Sequence, residues 1–121
     1  HLLNALCYLV RENGGRAFYL SLQGLPESAI ASLQGLEKLD LVCVDDLQAI
    51  AGDLHWEEAL FHCFNRIRDA RGRLLISSSK RLSELQLGLP DLAGQLHSRR
   101  QGVLVDAEQK ISNFEPRLSG R

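Results

Sequence analysis

A chain of 121 residues, 45% hydrophobic and 24% charged, has the make-up of one ordinary globular domain and is excluded from the disordered and fibrous classes. Its formal net charge of -1 excludes recruitment of nucleic acid or an acidic membrane by bulk charge, so any such contact would need a local patch. No apolar run approaches the ~20 residues of a membrane helix and no signal-peptide pattern opens the chain, so a cytoplasmic location is expected.

Leu2, Leu3, Leu6, Leu9 and Val10 recur at spacings of three and four, which predicts an amphipathic helix over His1 to Glu12, stopped by Asn13-Gly14-Gly15. No Ser, Thr, Asp or Asn precedes its first apolar residue, and the uncapped start implies that the helix begins upstream of His1. Ala17 to Leu22 reads as a short buried strand, and Gly24-Leu25-Pro26 leads into a modest helix from about Glu27 to Leu33. Leu39 to Val44 is a second apolar strand. The longest predicted helix follows, His55 to Ala70. Trp56, Leu60, Phe64 and Ile67 form its apolar stripe, Phe61 and Cys63 widen it, and Glu57, Glu58, Arg66, Arg68 and Asp69 take the polar side. Leu74-Leu75-Ile76 is a third strand, ending in Ser77-Ser78-Ser79. Strand-helix alternation of this kind predicts an α/β domain with a parallel three-layer sheet of about three strands and helices on both faces.

After residue 80 the texture changes. Arg81 to Leu87 reads as a short helix broken by Gly88-Leu89-Pro90, and His97 to Gln101 as a basic loop. Val103-Leu104-Val105 is open to a strand, but a helix from about Val103 to Asn113 is the preferred reading, ended by Glu115-Pro116. The whole is expected to be one domain over 1–121 with a helical carboxyl segment.

The chemistry concentrates at Leu39-Asp40-Leu41-Val42-Cys43-Val44-Asp45-Asp46, an apolar strand ending in two carboxylates, the pattern of a Walker B site. In a complete site Asp45 holds Mg²⁺ through water and Asp46 helps polarise the attacking water. Neighbours on a strand point to opposite faces, so the two acids have different roles. The Gly-rich, Lys-containing loop that would cradle phosphates is not found within these residues. That leaves half a site: the plainer expectation is two acids capping a strand at a solvated edge, with Asp45 a weak Mg²⁺ candidate. Cys7, Cys43 and Cys63, an odd number in apolar segments, read as reduced, buried thiols. Ser77 to Ser79 read as a strand-end turn rather than a nucleophile, and His1, His55, His62 and His97 show no metal-binding spacing.

Several stretches, in order and spacing, carry a family resemblance. HLLNAL, LVCVDDLQAIAGD around Asp45-Asp46, the Trp56 to Arg66 helix with Asn65-Arg66-Ile67, LLISSS and LGLPDLA resemble the AAA+ domain of the DnaA-related regulatory inactivators (Hda) and of DnaA, over residues 1 to about 93. The resemblance implies an AAA+ core, ATP and Mg²⁺ as cofactors of the intact parent, and DnaA or the sliding clamp as partners. It also implies a phosphate-binding loop directly before His1, a sensor 1 residue at Ser79 and an arginine finger at Gln95. Ser79 is shorter than the usual acid or amide, and Gln95 cannot replace a fixed charge worth on the order of 10³ in rate. From about residue 88 onward GLPDLAGQ, HSRR and ISNFEPRLSG are similar to the baseplate-wedge family of the type VI secretion component TssE. The chain thus reads as two ancestries joined near residue 93. Gln86-Leu87-Gly88-Leu89-Pro90 resembles a clamp-binding peptide, although in the family this stretch belongs to the folded core.

These readings lead to a catalytically incompetent AAA+ core fragment, not an enzyme, that acts by protein-protein contact as a regulator of replication initiation. A recombined or engineered chain with no activity beyond folding is the alternative, followed by an ATPase fragment that needs an upstream phosphate loop. A homodimer through an open sheet edge is also expected.

Overall fold

Three short apolar segments define the centre of the molecule, and their alternate residues bury opposite faces of one sheet. The computed structural model describes residues 2–98 and the backbone of a strand at 103–105. The chain runs α1 (Leu2–Glu12), β1 (Ala17–Ser21), β2 (Leu41–Asp45), α2 (Leu54–Asp69), β3 (Arg73–Ser78), α3 (Pro90–Ser98) and β4 (Val103–Val105), with 3-10 segments at Glu27–Leu33, Leu36–Lys38, Leu47–Ile50 and Leu82–Glu84. The sheet order is β1-β2-β3-β4 and every pairing is parallel. Tyr19 lies opposite Cys43, Ser21 opposite Asp45, and Val44 opposite Ile76. The α/β architecture with helices on both faces is therefore as read from the sequence, with β4 as a fourth strand beyond the three expected.

One face belongs to α1, whose Leu3, Leu6 and Cys7 pack on Leu41, Cys43 and Leu75, flanked by Ala17 and Tyr19. The other carries the larger core: Val42, Val44, Leu74 and Ile76 meet Trp56, Leu60, Phe64 and Ile67 of α2 and Leu92 and Leu96 of α3. Each buried side chain of Leu or Phe size contributes roughly 1.5–3 kcal/mol of apolar transfer, so this face dominates stability. Helix α2 starts where Asp53 accepts hydrogen bonds from the N–H groups of His55 (3.1 Å) and Trp56 (3.3 Å). At Gly15 a Cβ would stand 2.6 Å from Val10 Cγ1, so only glycine lets β1 start this close beneath α1.

Several sequence expectations change. The Glu27–Leu33 stretch is a 3-10 helix that buries only Leu33, and Pro26 at its start makes no side-chain cap. Of Arg81 to Leu87 only Leu82–Glu84 is helical. Leu85, Leu87 and Leu89 then turn their side chains onto the larger core at alternate positions. Pro90 does not break a helix but begins one, because the first helical position needs no N–H donor. Leu92 and Leu96, four apart, fix α3 in the core, so His97 lies in the last turn of a helix where a loop was expected. Val103–Val105 is a strand and not a helix start: its backbone satisfies the groups of Ile76 to Ser78 that would otherwise be left unpaired. The helix predicted to Asn113, the Glu115-Pro116 stop, the FEPRL segment and the Arg99-Arg100 pair lie outside the described residues, as does His1. Glu57, expected on the solvated side of α2, has no exposed surface.

Candidate functional site at the carboxyl edge of the sheet

The carboxyl ends of β1, β2 and β3 bring Ser21, Asp45, Asp46, Ser77 and Ser78 together, as a parallel sheet must when its strands end in register. Asp45, the last residue of β2, is 1% exposed. Its carboxylate accepts from the Tyr19 hydroxyl at 2.8 Å and from the Ser77 hydroxyl. The plainer expectation, both acids at a solvated edge, therefore does not hold for Asp45. It is an acid held in the interior by hydroxyl donors, and such partners are what make a buried carboxylate tolerable.

Asp46 leaves the strand in a left-handed conformation (φ 66°, ψ 50°), which aspartate tolerates better than most residues. The bend, rather than strand alternation alone, separates the two acids. Half-buried Asp46 accepts from the Ser21 hydroxyl at 3.0 Å, and the Gln48 side-chain amide lies 3.5 Å from its other oxygen. Its backbone N–H donates to Ser77 Oγ at 3.1 Å. Ser77 thus links the acids: its oxygen receives the Asp46 N–H while its hydrogen goes to Asp45.

The three serines have separate duties. Ser78 Oγ donates to the Lys80 carbonyl (2.7 Å) and accepts the Lys80 N–H (3.0 Å), closing the turn after β3. Exposed Ser79, the sensor 1 position of the resemblance, gives its backbone N–H to Gln48 Oε1 at 2.9 Å. Gln48 therefore bridges the Asp46 carboxylate and the end of β3. Tyr19, Ser21 and Gln48 escaped the sequence reading. Tyr19 and Ser21 alternate along β1 toward the face that Asp45 shares, but nothing in the sequence alone fixed the register of β1 on β2.

Electrostatics follow the same geometry. Burial, and then its hydrogen bond to Asp45, push the Tyr19 hydroxyl pKa well above its usual value, so Tyr19 remains a donor. Among the described residues no group of three or more His, Cys, Asp or Glu side chains is placed to hold a metal. A divalent ion at Asp46 would draw most of its shell from water or a ligand, as Mg²⁺ ordinarily does. The edge offers carboxylate and hydroxyl oxygens suited to the cation half of a nucleotide-metal complex, but the sequence holds no loop suited to its phosphates.

Other singled-out residues fall elsewhere. Gln95, the arginine-finger position of the resemblance, is 9% exposed between α2 and α3, and its amide nitrogen donates to the Phe61 carbonyl (3.2 Å) and to Asn65 Oδ1 (2.7 Å). In that orientation position 95 serves the helix interface and does not present a group to a neighbouring molecule. Exposed His55 pairs with Glu27, while His62 stands edge-on to Phe61; neither meets the serines. In the clamp-like segment, Leu87 and Leu89 face the core while Gln86 is exposed, as expected of a folded stretch. All three cysteines are free and buried. No helix among the described residues is long and apolar enough to cross a membrane.

Comparison with known proteins agrees with this geometry. The family described as the bacterial DnaA ATPase domain matches residues 1–106. AMPPCP-bound DnaA from Aquifex aeolicus superposes with a TM-score of 0.70 at 19% identity, over 99% of this chain and 41% of that one. A replication initiator DnaA bound to AMPPCP and single-stranded DNA gives 0.71 at 22% identity, over 87% of this chain and 35% of that one. Domain III of the Thermotoga maritima replication initiation protein DnaA gives 0.63 at 21% identity, over 88% and 50% respectively. At these identities the likeness is one of fold. The chain spans half or less of the length of each.

Proposed function

Because the chain belongs to the bacterial DnaA ATPase domain family, we propose that these 121 residues act as a protein-binding scaffold, similar to a regulator of DnaA-dependent initiation, and do not hydrolyse ATP by themselves. The observation that carries this reading is the state of the acid pair. Asp45 spends its carboxylate on Tyr19 and Ser77 inside the fold, and only Asp46 faces the sheet edge. Phosphoryl transfer needs a phosphate cradle, a bridging cation and charge compensation at the transferred group. The chain offers one edge carboxylate toward the second of these and a buried amide at the position where the resemblance puts an arginine. The near-neutral net charge favours a protein partner over nucleic acid, and the family points to DnaA or the sliding clamp.

The test pairs purified DnaA, and separately the clamp, with the tagged chain in a pull-down, and follows phosphate release from Mg-ATP by the chain alone. Association with one partner and no phosphate release are expected. Failure to bind either removes the regulator role and leaves a chain whose property is to fold. Mg²⁺-dependent release abolished by Asp46→Asn would establish an ATPase instead.

A further inference from the structure

Strand β1 gives one side of its backbone to β2 and turns the other outward. The Leu41 N–H donates to the Arg16 carbonyl at 3.1 Å and the Leu22 N–H to the Asp45 carbonyl at 2.9 Å. Even-numbered residues from Arg16 to Leu22 therefore serve the ladder, and Ala17, Tyr19 and Ser21 point their N–H and C=O groups away from it. Among the described residues the Arg11 side chain, 3.2 Å from the Ala17 carbonyl, is the one group that meets this outer row. Every β1 residue is half-buried, whereas all of β2 is buried. We propose that this edge is a homodimer interface: a second copy of the chain adds its β1 antiparallel, about a two-fold axis at Tyr19, and joins the two sheets. The proposal does not depend on DnaA or the clamp being a partner.

The edge is complementary to itself. In that register Tyr19 exchanges a pair of backbone hydrogen bonds with its counterpart, and Ala17 of each copy does the same with Ser21 of the other. The same register sets charge against charge. Tyr19 packs on the face that α1 covers, Ser21 two residues on shares it, and there the Ser21 hydroxyl donates to Asp46 at 3.0 Å. Exposed Arg11, held at Ala17, thus stands beside Asp46 of the second copy, and the axis repeats the contact. Within one chain neither Arg11 nor Asp46 belongs to an ion pair among the described residues. An extended peptide from another protein could match the backbone row, but a second copy also supplies both charges in register.

The helices above the sheet fit the same axis. Helix α1 seats on both β1 and β2. Neighbouring strands lie ~4.8 Å apart, so the α1 helices of two edge-joined copies run side by side at about 10 Å, the spacing of packed helices. The flank of α1 turned toward the axis is the one that bears Arg11, and exposed Asn4 and Tyr8 share it at helical spacing. Tyr8, 59% exposed, meets its counterpart there and gives the helix contact its apolar part. One strand and one helix flank form a patch at the small end of specific interfaces, so the dimer is weak, with a dissociation constant on the order of 10–100 µM.

The experiment is sedimentation equilibrium of the full chain from about 5 to 500 µM, a range that brackets this constant. The mass should rise from 13.5 kDa toward twice that value, and the Tyr19 amide, open in the monomer, should exchange its hydrogen more slowly as concentration rises. Ala17→Pro removes an outward N–H, and proline is tolerated at the first residue of an edge strand. It should raise the dissociation constant by roughly tenfold or more without lowering the thermal midpoint of the dilute chain. Arg11→Glu and Asp46→Lys each set like charges together twice, so each should weaken self-association, yet an equimolar mixture of the two should form a heterodimer in which both pairs are opposite again. Monomer mass at every concentration, a dimer that leaves Tyr19 exchange unchanged, or a mixture no more associated than its components would each overturn the proposal. Wild-type mass and exchange alone decide even if a variant fails to fold.

Discussion

Three backbone N–H groups converge on the carboxylate of Glu57: Gly52 at 2.7 Å and Gly88 at 3.1 Å on Oε2, and Leu89 at 2.8 Å on Oε1. This fully buried acid ties the loop before α2 to the loop before α3, two segments that share no ladder. Glu57→Gln keeps the shape but sets an amide donor against one of these N–H groups. Because hydrogen bonds to a charged acceptor are worth ~1.5–3 kcal/mol each, the variant should unfold about 2–3 kcal/mol more easily, measured as a lower urea midpoint with unchanged slope. An unchanged midpoint would show that the loops hold each other without the clamp. The position was visible in the sequence, since Glu57 stands three before Leu60 and seven before Phe64, on their stripe. Its charge argued it outward, and only the converging donors explain why it points in. The acid pair has the same history. Asp45-Asp46 stood out at the end of an apolar strand, yet the burial of Asp45 depended on Tyr19 and Ser77, brought there by strand register that single-sequence patterns do not carry.

Helices and strands with strong periods were readable to within about two residues, as with α1, α2 and the first three strands, because each buries one continuous stripe. The weak segments were not, and polar clamps rather than periodicity fix them. The two 3-10 segments, Glu27–Leu33 and Leu36–Lys38, are both held against α2. His55 pairs with Glu27 near the start of α2, while Arg66 meets Glu37 at 3.2 Å and the Leu33 carbonyl at 3.1 Å further along. The Glu27 hydrogen bond, then its charge, raise the His55 pKa above its ordinary 6.5, with Asp53 and Glu58 adding to the effect. With the folded pKa above the unfolded one, protonated His55 favours the folded state. That contribution is complete below about pH 6.5 and is lost as pH rises through the folded pKa. Both side chains are well exposed, 71% and 64%, so salt should weaken the effect. An NMR titration of the His55 ring should give a midpoint above the ordinary 6.5, and Glu27→Gln should lower it. A midpoint that Glu27→Gln leaves unchanged would dissolve the pairing.

At the scale of the whole molecule the outer sides of β1 and β3 are treated differently. At β1 the Arg11 side chain donates to the Ala17 carbonyl at 3.2 Å and so covers part of the open edge. At β3 the backbone from Ile76 to Ser78 pairs with Val103–Val105 instead. The two treatments differ in what they cost to remove, since a side chain lost at β1 exposes one carbonyl whereas a strand lost at β3 exposes a row of donors and acceptors beside the acid pair. Deleting residues 97–121 therefore removes β4 and the last two residues of α3 together. It leaves Leu96 at a fraying helix end in the larger core. The truncated chain should lose its cooperative thermal transition or self-associate through the bared edge, read by circular dichroism and light scattering. A shorter deletion that begins at residue 99 separates the two causes, because it spares α3. If the shorter deletion is as damaging as the longer one, the strand is what the fold requires. If only the longer one is damaging, the end of α3 is responsible. If both chains remain monomeric with an unchanged midpoint, residues 2–96 fold without the carboxyl segment. The tail would then be an attachment to the DnaA-type core rather than a structural part of it.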